Sequence, residues 1–167
     1  MRRRVALGAL LSISAGAGAG ERFDHQGAVL ALAAPGVGLS LTASSVSVNG
    51  IRWCALLGGG VALGSEHLEA LVLGRVSGRT DALDVAALAG LRTNFGDERW
   101  KTYADLQLSV LLLPWFAVGP RFGVGIQYEA SPVAGVFCGA AVLAGVGRGL
   151  IVAGDVTCGL QLRTYVL

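Results

Sequence analysis

The chain has 167 residues, enough for one domain with a sizeable core, yet only 14% of them are charged, against about 25% in an ordinary soluble domain. Mean hydropathy is +0.63 and 26 glycines are scattered through the apolar runs, so there is too little charge to cover a water-facing surface. The formal net charge is +2, and no Lys/Arg cluster beyond the first residues offers a footprint for nucleic acid.

The N-terminus, MRRRVALGALLSISAGAGAG, sets Arg2, Arg3 and Arg4 before an apolar run and a small-residue stretch. That is the layout of a secretory signal, with Ala17-Gly18-Ala19 as the cleavage motif and 1–19 as the removed segment. A short membrane anchor is the alternative, but the run is short and glycine-rich. Without those three arginines, ten basic face eleven acidic side chains, so the apparent basicity belongs to the export signal. Residues 20–35 are left unassigned. Within them, Phe23 to Ala34 reads as a ninth strand, part of the first strand, or an extension.

From residue 36 to 167 the chain breaks at turn signals into eight segments: 36–48, 51–64, 66–77, 80–93, 98–112, 114–129, 133–147 and 149–165. The punctuation includes Asn49-Gly50, a strong two-residue hairpin signal, Gly64-Ser65, the Ser77–Asp81 stretch, Pro114 and Ser131-Pro132. Connections this short join antiparallel neighbours into an up-and-down meander. The apolar run of Ser131 to Gly147 would attract a membrane-helix reading, but Gly and Ser break it below the roughly 18 residues a span needs.

Period-2 alternation runs through the segments. In WKTYADLQLSVLLL, residues 100–113, Leu106, Leu108 and Val110 share one face while Lys101, Tyr103, Asp105, Gln107 and Ser109 share the other. The same parity separates Leu83, Val85 and Leu91 from Asp84 and Arg92, and Phe122, Val124 and Ile126 from Arg121, Gly123 and Glu129. One face is continuous and bulky; the other is small residues with occasional charges. Those charges are Arg75, Arg92, Lys101, Arg121 and Arg163 against Glu69, Asp84, Asp105, Glu129 and Asp155, five of each sign. A narrow interior needs small residues for space and an opposite partner for each charge, so the polar face is expected inside. Around the hairpin at Pro114, the register brings Asp105 near Arg121 or its diagonal neighbour.

An export signal, eight alternating segments, an outward apolar band and a polar interior resemble the small eight-stranded outer-membrane β-barrels of Gram-negative bacteria. The resemblance covers residues 36–167 as a pattern. It implies an all-β, antiparallel, up-and-down transmembrane barrel with a packed polar lumen, located in the outer membrane after export through the periplasm. Trp53, Trp100, Trp115, Phe116, Tyr128 and Tyr165 lie near segment ends, where aromatic girdles belong. Such barrels usually finish on a lipid-facing aromatic residue, whereas this chain ends Thr164-Tyr165-Val166-Leu167 with Tyr165 on the lumen side by parity.

Three cysteines occur. Cys138 and Cys158 flank Arg148 symmetrically on the apolar face, and they read equally as a disulfide or as two small apolar residues. With Cys54 they lack the spacing of a metal site. Ser65, His67 and Glu69 lie on one side of a strand, but i and i+2 side chains stand about 7 Å apart, too far for direct proton transfer. A turn-edge polar cluster is the expectation, with no catalytic residue, metal or cofactor. Gly58-Gly59-Gly60 and Gly123-x-Gly125 read as close backbone approach or strand bending. The expected function is a non-enzymatic envelope-structural or surface-interaction barrel whose partner is the lipid bilayer, with no protein partner specified. The alternatives are passage of small solutes or an apolar ligand, and a lipid-modifying enzyme.

Overall fold

In the computed structural model, residues 28–44, 48–65, 67–79, 82–96 and 99–165 are described; the expected signal segment, 1–19, lies outside them. Eight strands follow in chain order: β1 (Ala28–Ser44), β2 (Val48–Gly64), β3 (Leu68–Arg79), β4 (Leu83–Phe95), β5 (Trp100–Leu113), β6 (Ala117–Ser131), β7 (Ala134–Val146) and β8 (Leu150–Tyr165). Each pairs antiparallel with its neighbour, and β1 pairs with β8, closing the sheet. Closure leaves no unpaired edge. The strands are 12 to 17 residues long, beyond the 9–11 or so that cross a bilayer when tilted. The apolar stretch after Ser131 is strand β7, and among the described residues no helix is long and apolar enough to cross a membrane.

The first strand starts before residue 36, in keeping, from Ala28 onward, with the reading of Phe23 to Ala34 as part of that strand. It begins at Ala28 and carries Pro35 in its interior, so eight residues of the 20–35 stretch belong to the barrel. It ends at Ser44, and Asn49-Gly50, expected as the first turn, lies inside β2. The lipid-type face explains why. A loop at Asn49-Gly50 would set Leu39 opposite Gly60, an outward position against an inward one. The observed register sets Leu39 opposite Trp53, both outward, with a one-residue shift between Ser40 and Thr42.

Alternation sorts the side chains by face. Thirty-two large hydrophobic residues are exposed among those described, while the buried set holds twelve polar or charged residues and nine apolar ones. A water-soluble fold has the opposite arrangement, so the apolar surface points out and the polar one in. Among the buried apolar residues, Ala62 and Leu71 form a cluster, with Leu73 packed against them. Phe95, Trp100 and Tyr128 lie on the adjacent strands β4, β5 and β6 at the near end, where β1 starts and β8 finishes, with the Trp100 and Tyr128 rings 4.9 Å apart. Trp53 and Phe116 are exposed toward the far end.

Candidate functional site

Inward residues come from every second position of each strand, so the interior is built by register and then by reach across the bore. All ten charges singled out from the sequence lie on the inward side, buried or half-buried. They fall into groups along the axis.

Toward the near end, Arg163 of β8 reaches Glu69 of β3 at 3.1 Å and approaches Glu129 at 3.8 Å. The Lys101 ammonium donates to Glu129 Oε2 at 3.0 Å, and Gln127 Nε2 donates to Oε1 of the same carboxylate at 2.8 Å. With its amide oriented to suit its neighbours, Gln161 donates to Gln127 Oε1 and accepts from the Arg163 guanidinium. Two cations and two anions thus share one network, the arrangement buried charges require.

In the next group, Arg92 binds Asp105 through both ends of its fork, Nε to Oδ1 at 2.7 Å and Nη2 to Oδ2 at 3.0 Å. The guanidinium lies over the Tyr103 ring, 4.4 Å from its centroid. Tyr103 fits because the strands beyond it carry glycine. A Cβ on Gly125 would stand 2.5 Å from the end of the ring, and one on Gly139 would strike its hydroxyl. In the Gly123-x-Gly125 signal, Gly125 is therefore the position that leaves space for a lumen side chain.

Toward the far end, Asp155 of β8 receives two guanidiniums: Arg75 Nη1 at 3.0 Å and Arg121 Nη2 at 3.2 Å. Arg121 also donates to Gln107 Oε1 at 3.4 Å. Arg79 binds Asp84 at 3.0 Å and the Thr42 hydroxyl at 3.1 Å. Above them is a cavity of about 80 Å³ lined by Arg75, Arg79, Asp84, Arg121, Asp155 and Trp115, among others. A much smaller space of about 10 Å³ lies at the near end, and the two share no lining residue.

The register around Pro114 pairs Gln107 with Arg121 and Asp105 with Gly123. Asp105 and Arg121 are therefore diagonal neighbours, but neither is the other's ion-pair partner. Asp105 turns to β4 and Arg121 turns across to β8. Arg79, within a stretch that reads as a turn, keeps the parity of Arg75 and Ser77 one step further along β3 and faces inward. Trp115, a girdle candidate by its place near a segment end, is half-buried and lines the cavity, with its indole nitrogen buried. Its parity with Ala117, Gly119 and Arg121 was the signal.

Ser65 and Glu69 are committed elsewhere: the Ser65 hydroxyl accepts from the Leu68 N–H at 3.3 Å, while Glu69 binds Arg163 inside the barrel. Cys138 and Cys158 are register partners in β7 and β8, with Cα atoms 4.1 Å apart and their sulfurs bonded; Cys54 is buried and free. Among the described residues no group of His, Cys, Asp and Glu is arranged to hold a metal ion.

No protein-family model matches the chain, and no curated protein matches it in sequence. Solved structures do match. Neisserial surface protein A aligns with a TM-score of 0.56 at 13% identity, over 81% of this chain and 97% of its own. The N-terminal β-barrel domain of Pseudomonas aeruginosa OprF aligns with a TM-score of 0.56 at 11% identity, over 84% of this chain and all of its own. A de novo designed transmembrane β-barrel aligns at 0.50 and 11% identity, over 84% and 99%. The chain has the fold of the small eight-stranded outer-membrane barrels.

Proposed function

We propose that the protein is a non-enzymatic β-barrel of the bacterial outer membrane, exported through the periplasm, with a closed lumen and an envelope-structural or surface-interaction role. The observation that carries this reading is the inversion of the two faces: exposed apolar side chains all round the outside, ion pairs and amides filling the inside. In water that outer face would aggregate; in a bilayer it is matched to the hydrocarbon. The likeness to a Neisserial surface protein and to an outer-membrane barrel domain supports the same location. An eight-stranded barrel has room for little besides its own side chains, and the Glu69–Arg163–Glu129–Lys101 and Arg92–Asp105 groups occupy that room. Filling of this kind favours a plugged scaffold over a solute channel.

The test is fractionation of the full chain expressed in a Gram-negative host, with gels run before and after boiling and conductance measured in planar bilayers. The expected result is an outer-membrane protein whose mobility changes on boiling and which gives no steady unitary current. A soluble periplasmic protein stable without detergent would overturn the location, and a stable ohmic conductance would replace the scaffold by the channel reading.

A further inference from the structure

We infer that the far-end cavity is a binding site for a phosphate-type oxoanion, held by Arg75, Arg79, Arg121 and the Trp115 indole. Four observations converge on it. First, its charges do not balance. Asp155 is shared by the Arg75 and Arg121 guanidiniums, and Asp84 is bound by Arg79, so three cations face two carboxylates.

Second, hydrogen-bond donors are left over there. The Arg79 side chain is only 5% exposed, yet its Nε has no partner among the described residues, and neither has the buried Trp115 Nε1. The Ser40 hydroxyl, also buried and unpartnered, lines the same space. An unpaired buried donor is costly, and isolated cases call for a missing acceptor. Three at one cavity call for an acceptor with several oxygens.

Third, the other ion-pair groups in the lumen balance in charge, and the spare buried hydrogen-bonding atoms there, Glu69 Oε2 and Asn94 Oδ1, are acceptors rather than donors. The pairs at Arg92–Asp105 and Lys101–Glu129 match charge for charge, so the excess is local to the cavity. Fourth, the size is appropriate. A water molecule needs about 10–15 Å³ by this measure and a drug-sized ligand about 300–1,000 Å³. The cavity, at about 80 Å³, takes several waters or one tetrahedral oxoanion. A guanidinium fork and an N–H donor match such an anion better than they match water, because each bond is charge-assisted.

The source of the anion is either dissolved phosphate entering the far mouth or the phosphomonoester headgroup of a lipid at the barrel rim. The inference requires the folded barrel but not its cellular location, so it stands or falls separately from the proposed role. The probe is Trp115 itself. The chain has three tryptophans, and Trp53→Phe with Trp100→Phe leaves Trp115 as the single emitter in the full chain, refolded in a maltoside detergent free of phosphate.

Inorganic phosphate is titrated at constant ionic strength against chloride, and in a parallel arm phosphatidic acid is added to the micelles against a neutral glycolipid. The expected result is a saturable change in Trp115 emission in one or both arms. Dissolved phosphate acting alone identifies the free ion, and phosphatidic acid acting alone identifies the lipid. Arg79→Gln should weaken the response at least tenfold. Trp115→Phe in the otherwise unaltered chain, read by thermal shift, should lose affinity several-fold while the barrel still folds. No response in either arm, or a response that Arg79→Gln and Trp115→Phe both leave intact, would show that the cavity holds only water and overturn the inference.

Discussion

Replacing Asp105 by Ala strands the Arg92 guanidinium inside the barrel, and the size of the penalty follows from the contact geometry. The pair is bidentate, at 2.7 and 3.0 Å, with side chains 13% and 5% exposed. Breaking a dry buried pair costs about 3–5 kcal/mol, and the slight exposure of Arg92 argues for the lower end. Arg92→Ala should cost about 1 kcal/mol more than Asp105→Ala, because it also removes the cation from the Tyr103 ring. The double mutant strands no charge, so it should fall about 2–3 kcal/mol short of the sum of the singles. Urea unfolding in lipid vesicles, followed by tryptophan emission and by gel mobility, measures each corner of the cycle. The Asp105→Ala and Arg121→Ala cycle is the internal comparison: these residues are diagonal neighbours with separate partners, so their coupling should be clearly smaller. Additivity of the Arg92 cycle within about 0.5 kcal/mol, or equal coupling in the two cycles, would refute the assignment of partners.

Leu108 is outward and Gln107 inward in the same strand; Leu108→Arg should therefore impair folding into vesicles by about 2–4 kcal/mol, and Gln107→Leu by much less, with the reverse order showing inverted faces. Gly139→Ala should destabilise by about 1–3 kcal/mol through overpacking, and a Tyr103→Phe background, which removes the obstructing hydroxyl, should relieve part of that loss. Thiol titration of the unfolded chain should find one reactive sulfhydryl, Cys54, before reduction and three after it; three before reduction would mean that Cys138 and Cys158 are not joined in the cell.

The parity of side chains was legible because a strand offers each residue only two directions, and Arg75, Asp105 and Glu129 fall where alternation puts them. Turn positions were legible where the connection is short and its flanks end in parity, as at Ser131-Pro132 between β6 and β7. Asn49-Gly50 misled for the same reason that makes it informative elsewhere. Its local preference is for a tight turn, but a turn there would have broken the continuity of the apolar surface along β1 and β2. Pro35 lies inside β1, since a proline can occupy a strand where the pairing does not need its donor.

By itself the sequence determined an antiparallel meander of about eight strands, its faces and the composition of its interior, because those follow from period and spacing along the chain. It did not determine which interior charges meet. Glu69 stands opposite Arg92 in register, yet its carboxylate is bound by Arg163, 94 residues away and on another strand. Arg75 likewise meets Asp155 across 80 residues, from β3 to β8. Such contacts span a bore rather than a ladder, and they exist only once β1 has paired with β8. Closure sets the stagger of the strands and the width of the interior, and only then do long side chains from opposite walls come within hydrogen-bond reach. The same step gathers Arg79, Trp115 and Ser40 from three separate parts of the chain around one cavity.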